Sequence, residues 1–378
     1  MKIVVAPDSY KGSMTSAEVA STIELALKKA IDHVEVLTVP MADGGEGTVE
    51  ALVKATNGQL IHIMCTGPLG DKVKTVFGQL GKSETVILEV ASTSGLTMVP
   101  LENRNPFKTT SYGLGELIKS CLDKGFRSFI IGLGGSATND GGLGLLQALG
   151  GKFLDKNGNE VGVFGKDLLN IREVKLDRVD PRIFQSTIII ASDVDNPLCG
   201  KNGATHVFGP QKGATEEQIL LLDKAMKNYA QLMELELKRN IHETPGAGAA
   251  GGLGFALLAL GGQLESGANV VAKAVALEEI LSDADFLFTG EGRSDVQTLH
   301  GKVPSYVGTL AKKHKVKTIL LSGSLGENTE ELYTVFDACF SITNGPISLD
   351  ESMVHAKKLL YNQAFNIAQL LKFQENKG

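Results

Sequence analysis

The sequence predicts an α/β fold with mostly parallel strands. Strand-sized apolar segments alternate with helix-sized segments along almost all of the 378 residues, and this alternation is typical of parallel sheets covered by helices. Loops of glycine, carboxylate and hydroxyl residues follow six of the predicted strands. Because ligands bind beyond the carboxyl ends of the strands in open α/β sheets, the sequence also predicts a ligand site at these loops.

The individual elements are predicted in order from their residue patterns. The first strand is KIVVA, and the helix SAEVASTIELALKKA follows a capping box formed by Thr15 and Glu18. Further strands are predicted at VEVLTV, TVILEVA, SFIIGL, STIIIA, DFLFT and KTILL. Further helices are predicted near residues 111–124, 216–238, 267–282, 304–314 and 351–372. Thr215 and Gln218 form a second capping box, which opens the helix at 216.

The composition indicates a soluble globular protein of the reducing cytoplasm. Its 43% hydrophobic and 21% charged residues are ordinary for that class, and no apolar stretch suits a membrane span or a signal peptide. The four cysteines form no CxxC pair, so neither a zinc site nor a disulfide framework is indicated. A net charge of −6 argues against a nucleic-acid surface. We therefore expect small-molecule partners, no nucleic acid and no membrane, and the oligomeric state stays open.

The six loops carry the residue types that metal-assisted phosphoryl transfer needs. That reaction uses backbone amides and cations around the phosphates, Mg²⁺ on one or two carboxylates, and a group that accepts the proton of the attacking hydroxyl. The candidate carboxylates are Asp8, Asp43, Asp140, Asp193, Asp195, Glu291 and Asp295. The candidate cations are Lys11, Lys201, Lys212, Arg293 and Lys302.

Several of these features also have a structural interpretation. Lys11 could be a solvated turn residue, Asp195 before Asn-Pro could start a turn, and Glu291 with its neighbours could form one ion network. The segment GAGAAG (246–251) matches a dinucleotide fingerprint, but it follows HETP rather than a strand. It could present a helix N-terminus to an anion or serve close helix packing, and the sequence favours neither.

Six long motifs occur in a fixed order along the chain. They are APDSYKGSMTSAEVA, PMADGGEGT, GLGGSATNDGGLGLLQALG, SDVDNPLCGKNGATHVFGPQKGAT, PGAGAAGGLGFALLAL and TGEGRSDVQTLHGKVP. Through them the chain resembles the bacterial glycerate kinases of type I over nearly its whole length. It departs from the family pattern at Ser294, where an aliphatic residue is usual, and in SDVDNP and GKNGA, where CDVDNP and GPNGA are common.

The resemblance implies ATP-dependent phosphorylation of D-glycerate to 2-phosphoglycerate, with formation of the 3-phosphate as the alternative. It also implies two α/β domains, one flavodoxin-like (Rossmann-like) and one restriction-endonuclease-like, with the site in the cleft between them. One domain is inserted into the other. We therefore expect the flavodoxin-like domain at residues 1–60 and 285–378 and the inserted domain at 61–284.

The expected reaction assigns a role to each group of residues. Asp193, with Asp195 as the alternative, would accept the proton of the glycerate hydroxyl, and Lys11 would neutralise the transferring phosphoryl group. Asp43 or Asp8 would hold Mg²⁺. The residues expected to contact glycerate or phosphate are Asp8, Ser9, Gly134, Gly135, Ser136, Asn139, Asp140, Lys212, Glu291, Arg293, Asp295 and Lys302. Among these, the arginine is the choice for the glycerate carboxylate because a guanidinium matches it with two hydrogen bonds.

Two other functions compete with the kinase interpretation. A dehydrogenase would use GAGAAG for a nicotinamide cofactor, and the absence of a preceding strand argues against it. A non-catalytic sugar-acid sensor on the same fold would need a DNA-binding segment, and none is visible in the sequence.

Overall fold

The computed structural model of the chain describes residues 1–45 and 47–375. Glu46, within the PMADGGEGT motif, and residues 376–378 lie outside the described residues. The strands are β1 (Lys2–Val5), β2 (Glu35–Thr38), β3 (Gln59–Thr66), β4 (Lys72–Gln79), β5 (Thr85–Glu89), β6 (Ser128–Gly132), β7 (Lys152–Leu154), β8 (Glu173–Lys175), β9 (Thr187–Ala191), β10 (Gln263–Glu265), β11 (Phe286–Thr289), β12 (Arg293–Ser294), β13 (Lys317–Ser322), β14 (Ser324–Leu325) and β15 (Ala338–Ser341).

The α-helices lie between these strands. They are α1 (Ser16–Ala30), α2 (Thr48–Ala55), α3 (Ala91–Ser94), α4 (Tyr112–Asp123), α5 (Leu143–Ala148), α6 (Ala204–Phe208), α7 (Glu216–Leu237), α8 (Ala249–Ala259), α9 (Gly267–Ala274), α10 (Leu277–Leu281), α11 (Val303–Lys313), α12 (Leu349–Val354) and α13 (Ala356–Glu375). Short 3₁₀ turns complete the fold, among them Pro210–Lys212 and Val296–Leu299. In the described part of the chain, no helix combines the length and the apolar character that a membrane crossing requires.

The chain divides into two compact units. The first unit comprises the described residues of 1–43, 54–56 and 266–378, so it is built from both ends of the chain. The second unit comprises those of 44–53 and 57–265. Each unit has its own hydrophobic core.

The first unit contains a parallel five-stranded sheet in the order β15-β13-β11-β1-β2. Numbered along the chain within this sheet, the order is 2-1-3-4-5, which is the flavodoxin-like order. The direction of strand addition reverses between β1 and β11. Ligands bind at such a reversal, beyond the carboxyl ends of the two strands.

Helix α1 shows why the elements of the first unit form where they do. Thr15 accepts a hydrogen bond from the N–H of Glu18 at 3.2 Å, and the Glu18 carboxylate accepts one from the N–H of Thr15 at 2.9 Å. This confirms the predicted capping box, which satisfies donors that a helix start leaves unpaired. Buried Val19, Ile23 and Leu27 then form one face of the helix and pack in the core of this unit.

The second unit contains a six-stranded mixed sheet in the order β10-β9-β6-β5-β4-β3. Strands β5, β6, β9 and β10 are parallel, whereas β3 and β4 pair antiparallel at one edge. Residues from helices α4, α5, α7 and α8 share the core with residues of the central strands β5, β6 and β9. The predicted α/β class is confirmed.

Several elements differ from the sequence predictions; helix α2 and the short strands β7, β8, β10, β12, β14 and β15 were not predicted. The antiparallel strands β3 and β4 were not predicted, because they mix polar and apolar residues at an exposed sheet edge. The helices predicted at 267–282 and 351–372 are each two helices. Ala276 breaks the first with a left-handed backbone (φ 52°), and His355 separates α12 from α13.

Candidate functional site

In the first unit, two hydrogen bonds join the loop after β1 to the end of β11 and the loop that follows it. The N–H of Asp8 donates to the carbonyl of Gly290 at 2.9 Å. The hydroxyl of Thr289 donates to the carbonyl of Ala6 at 2.8 Å. The carboxyl ends of these two strands therefore lie side by side at the reversal of the sheet order, and they bring the loops PDSYKG and GEGRSD together.

The loop after β1 carries a buried carboxylate. Asp8 is only 8% exposed, and its Oδ1 accepts the N–H of Ser9 at 2.7 Å. Burial and the nearby charge of Asp43 raise the pKa of Asp8 to about 7. Lys11 lies on the same loop, and its Nζ is 2.9 Å from Oδ2 of Asp43. Two carboxylates and a lysine, all predicted site residues, thus converge at this end of the sheet.

The loop after β11 holds a second buried carboxylate in a fixed position. Glu291 Oε1 accepts hydrogen bonds from the hydroxyl of Thr298 at 2.7 Å and from that of Ser294 at 3.2 Å. Its Oε2 lies 3.1 Å from Nζ of Lys302. The hydroxyl of Ser294, at the position where this chain departs from the family pattern, also lies 2.7 Å from that of Ser322. A buried hydroxyl needs such partners, and the structure supplies them.

The same loop also carries Asp295, which caps a short turn, and Arg293, which is exposed. Asp295 Oδ1 accepts the N–H of Gln297 at 2.9 Å and so caps the short turn Val296–Leu299. Arg293 is 70% exposed, and its Nε is 3.7 Å from Oδ2 of Asp295. An ion pair this exposed contributes little to stability. The guanidinium is therefore accessible to a ligand.

In the second unit, the loop that follows β6 presents backbone N–H groups at its tip. Gly135 is exposed and has a left-handed backbone with φ 72°. Within residues 1–45 and 47–375, the N–H groups of Gly135 and Ser136 donate to no protein acceptor. The N–H of Gly134 makes a long hydrogen bond of 3.3 Å to the carbonyl of Gly44. Successive free N–H groups at a turn are suited to binding an anion.

The polar residues at the end of this loop face inward. Asp140 is fully buried, and its carboxylate accepts the N–H and the hydroxyl of Ser111 at 2.8 and 2.7 Å and the N–H of Gly142 at 3.1 Å. Burial raises the pKa of Asp140. The amide of Asn139 donates to the hydroxyl of Thr205 at 2.9 Å, and its buried Oδ1 has no hydrogen-bond partner among the described residues. In this arrangement Asp140 supports the start of α5.

Lys212 is the buried cation of the second unit. Its side chain reaches the loop after β6 from the turn Pro210–Lys212. The amine donates to the hydroxyl of Ser136 at 3.0 Å and to the carbonyl of Thr138 at 2.7 Å. Burial lowers the pKa of this amine to about 7.

Asp193 and Asp195 lie on the loop that follows β9. Both are exposed, and the N–H of Val194 between them donates to the hydroxyl of Ser192 at 3.3 Å. The amide of Asn196 donates to the carbonyl of Asn202 at 2.7 Å, which shapes the turn that follows. The loop places both carboxylates beyond the carboxyl end of β9, and their role as proton acceptors stays a prediction.

The glycines of GAGAAG serve close packing at the start of α8. Ala250, Gly251 and Gly252 all have left-handed backbones, and the carbonyl of Gly251 accepts the N–H of Gly141 at 2.9 Å. A Cβ atom on Gly251 would lie 2.0 Å from the carbonyl oxygen of Thr138, which no side chain could tolerate. Of the two open interpretations of this motif, the geometry supports the packing one.

Sequence reasoning missed a buried carboxylate beside the PMADGGEGT motif. Glu89 ends β5, and its carboxylate accepts the N–H of Val49 at 2.6 Å and that of Gly47 at 3.4 Å. Burial raises the pKa of Glu89 to about 7. The signal in the sequence was an acidic residue at the end of an apolar strand, as in TVILE. Glu89 holds the backbone at the start of α2, next to the PMADGGEGT motif.

Known proteins resemble this chain over its full length. The model of the glycerate kinase family matches residues 3–372. The chain is 45% identical over 374 residues to the glycerate kinase of Bacillus subtilis (strain 168), a match that covers 98% of both proteins. It is 46% identical over 373 residues to the glycerate 2-kinase of Escherichia coli (strain K12), again with 98% of both covered.

A solved structure agrees with this result. A crystal structure from Salmonella typhimurium LT2, assigned to glycerate kinase 2, superposes with a TM-score of 0.89 at 44% identity and covers 100% of this chain and 99% of its own. The family match, the curated relatives and the solved structure therefore agree from one end of the chain to the other. The chain belongs to the glycerate kinase family, and it is an enzyme of the kinase type.

Proposed function

We propose that the enzyme transfers the γ-phosphoryl group of ATP to D-glycerate and forms 2-phosphoglycerate. The observation that carries this proposal is the convergence of Asp8, Lys11 and Asp43 at the sheet reversal of the first unit, in a chain of the glycerate kinase family. The name of the Escherichia coli relative, glycerate 2-kinase, favours the 2-hydroxyl as the acceptor.

The residues of the first unit suit Mg²⁺ that arrives with the nucleotide. Within the described ranges, 1–45 and 47–375, no three metal-ligating side chains converge. Asp8 and Asp43 are nevertheless close enough for one charge to raise the pKa of the other carboxyl group. Magnesium in kinases is usually held by one or two carboxylates and by substrate phosphates, so this pair fits. When bound, the ion would neutralise phosphate charge during transfer.

The lysines and the arginine would bind the two anionic substrates. Burial by itself would lower the pKa of Lys11, but the charge and the hydrogen bond of Asp43 raise it, so the amine is charged at neutral pH. It can therefore stabilise the transferring phosphoryl group. Arg293 would bind the glycerate carboxylate, and Lys302, held by Glu291, would add positive charge to the same loop.

The second unit would supply amides and a base. The free N–H groups of Gly135 and Ser136 suit an oxyanion of either substrate. Asp193, with Asp195 as the alternative, would accept the proton of the attacking hydroxyl.

The four cysteines are free, which supports action in a reducing cytoplasm.

An assay with ATP, Mg²⁺ and D-glycerate tests the function, with the product analysed by ³¹P and ¹³C NMR. Phosphate on carbon 2 is the expected result. Phosphate on carbon 3 would keep the kinase and overturn the assignment of the acceptor hydroxyl. Saturable ligand binding without any turnover would instead support the sugar-acid sensor.

A further inference from the structure

We propose that Lys212 is a positioning residue of this reaction. Its amine fixes the loop of residues 134–138, so that the N–H groups of Gly135 and Ser136 stay available to a substrate oxyanion. The inference rests on the proposed function. It differs from the expectation that Lys212 contacts phosphate directly, because the amine hydrogen-bonds to the loop itself.

The amine of Lys212 is buried, and its hydrogen-bond partners are atoms of the loop. Lys212 is 2% exposed, and lysine is almost never this buried unless it is paired. Among the described residues, no carboxylate lies within ion-pair distance of its Nζ. Both partners of the amine, the hydroxyl of Ser136 and the carbonyl of Thr138, belong to the same loop. The buried amine therefore joins two points of one turn.

Two further hydrogen bonds fix the carbonyl groups of this loop. The carbonyl of Gly135 accepts the N–H of Leu96 at 2.7 Å, and the carbonyl of Ala137 accepts the hydroxyl of Thr109 at 3.2 Å. In a planar trans peptide, the carbonyl of one residue and the N–H of the next point in opposite directions. Because the carbonyl of Gly135 points toward Leu96, the N–H of Ser136 points away from Leu96. Lys212 holds the other side of this turn.

The replacement Lys212→Met isolates this role. Methionine keeps an unbranched side chain in the buried space but removes both donors, so the hydroxyl of Ser136 and the carbonyl of Thr138 lose a buried partner. The matched control is Lys224→Met, which changes an exposed lysine on α7. For each protein we would measure kcat and KM, the Kd of inorganic tripolyphosphate, and hydrogen exchange of peptides covering residues 93–97 and 132–140.

The expected result has three parts. Lys212→Met lowers kcat/KM for ATP at least about tenfold, because small displacements of a binding group cost this much. It weakens tripolyphosphate binding to a similar extent. It also speeds exchange of the amides of Leu96 and Ala137, whose N–H groups join the loop to residues 94–96: that of Leu96 donates to the carbonyl of Gly135, and that of Ala137 donates to the carbonyl of Ser94. Lys224→Met stays close to the wild type in all three measurements.

Two results would overturn the inference. One is a kcat/KM and a tripolyphosphate Kd within twofold of the wild type in folded Lys212→Met. The other is a loss of both without faster exchange in the two peptides, which would indicate direct contact. If Lys212→Met does not fold, Ser136→Ala removes one of the two acceptors. About a threefold loss is then expected, and no change would contradict the inference.

The proposed function can fail separately. A wild type without D-glycerate turnover would refute the function, while the tripolyphosphate and exchange measurements still test Lys212.

Discussion

Nζ of Lys11 lies 2.9 Å from Oδ2 of Asp43, and this pair joins the loop after β1 to the segment after β2. The lysine side chain is 75% exposed, so the pair itself contributes little to stability. We therefore propose that Lys11 serves substrate binding rather than fold stability, and we expect its loss to affect turnover more than stability.

Replacing Lys11 with methionine should lower kcat by at least about a hundredfold, because a charge that stabilises the transition state is lost. Steady-state kinetics with ATP and D-glycerate measure the effect. Lys28→Met is the matched control, since it also breaks an exposed lysine–carboxylate pair, here with Glu24 on α1. A kcat within threefold of the wild type in Lys11→Met would remove Lys11 from the mechanism.

Replacing Arg293 with alanine should raise KM for D-glycerate about 10- to 100-fold, the range expected for hydrogen bonds between charged groups. KM for ATP should change much less. Arg178→Ala is the control, because that arginine is equally exposed, lies next to an aspartate and belongs to the other unit. An increase in KM for ATP alone would reassign the guanidinium to the nucleotide.

Replacing Asp140 with asparagine should lower the free energy of unfolding by about 2–3 kcal/mol, since an amide group would then face the donors of Ser111 and Gly142. Urea unfolding measures the change. Asp155→Asn is the control. Asp155 also accepts backbone N–H groups, those of Asn157 and Asn159, but on the surface, where water can replace the lost bonds. Equal losses in the two variants would contradict a buried supporting role for Asp140.

Lys212 should make stability depend on pH above neutrality. Its pKa in the folded protein is about 7, below the ordinary value of 10.5, because burial disfavours the charged amine. Below pH 7 the amine is protonated in both the folded and the unfolded protein, so the folded protein bears the full free-energy cost of the buried charge. Between pH 7 and 10.5 the unfolded state holds a proton that the folded state has released, so stability rises with pH by up to about 1.4 kcal/mol per unit.

Urea unfolding of the wild type and Lys212→Met between pH 6.5 and 9.5 tests this dependence. The difference in unfolding free energy between the two proteins should grow with pH in favour of the wild type. A difference that is constant across this range would show that the amine keeps its ordinary pKa.

Local sequence patterns were sufficient for much of the fold. The capping boxes at Thr15 and Thr215 are present as predicted, because capping depends on residues three positions apart. The strands from KIVVA to KTILL form because each is a short apolar run followed by loop residues. The antiparallel pair β3 and β4, at one side of the second sheet, was missed, because its strands mix polar and apolar residues and so lack the apolar runs of the central strands.

For the site, the sequence by itself determined the residue types and their position after strand ends. Only the tertiary structure decided which of these residues meet. Lys11 pairs with Asp43, Glu291 is held by Thr298 and Lys302, and Asp140 is buried among backbone donors although its loop contains exposed glycines. The reason is physical. Helix and strand patterns arise from neighbours along the chain, whereas the burial and partners of a carboxylate or an amine depend on segments that strand order brings together.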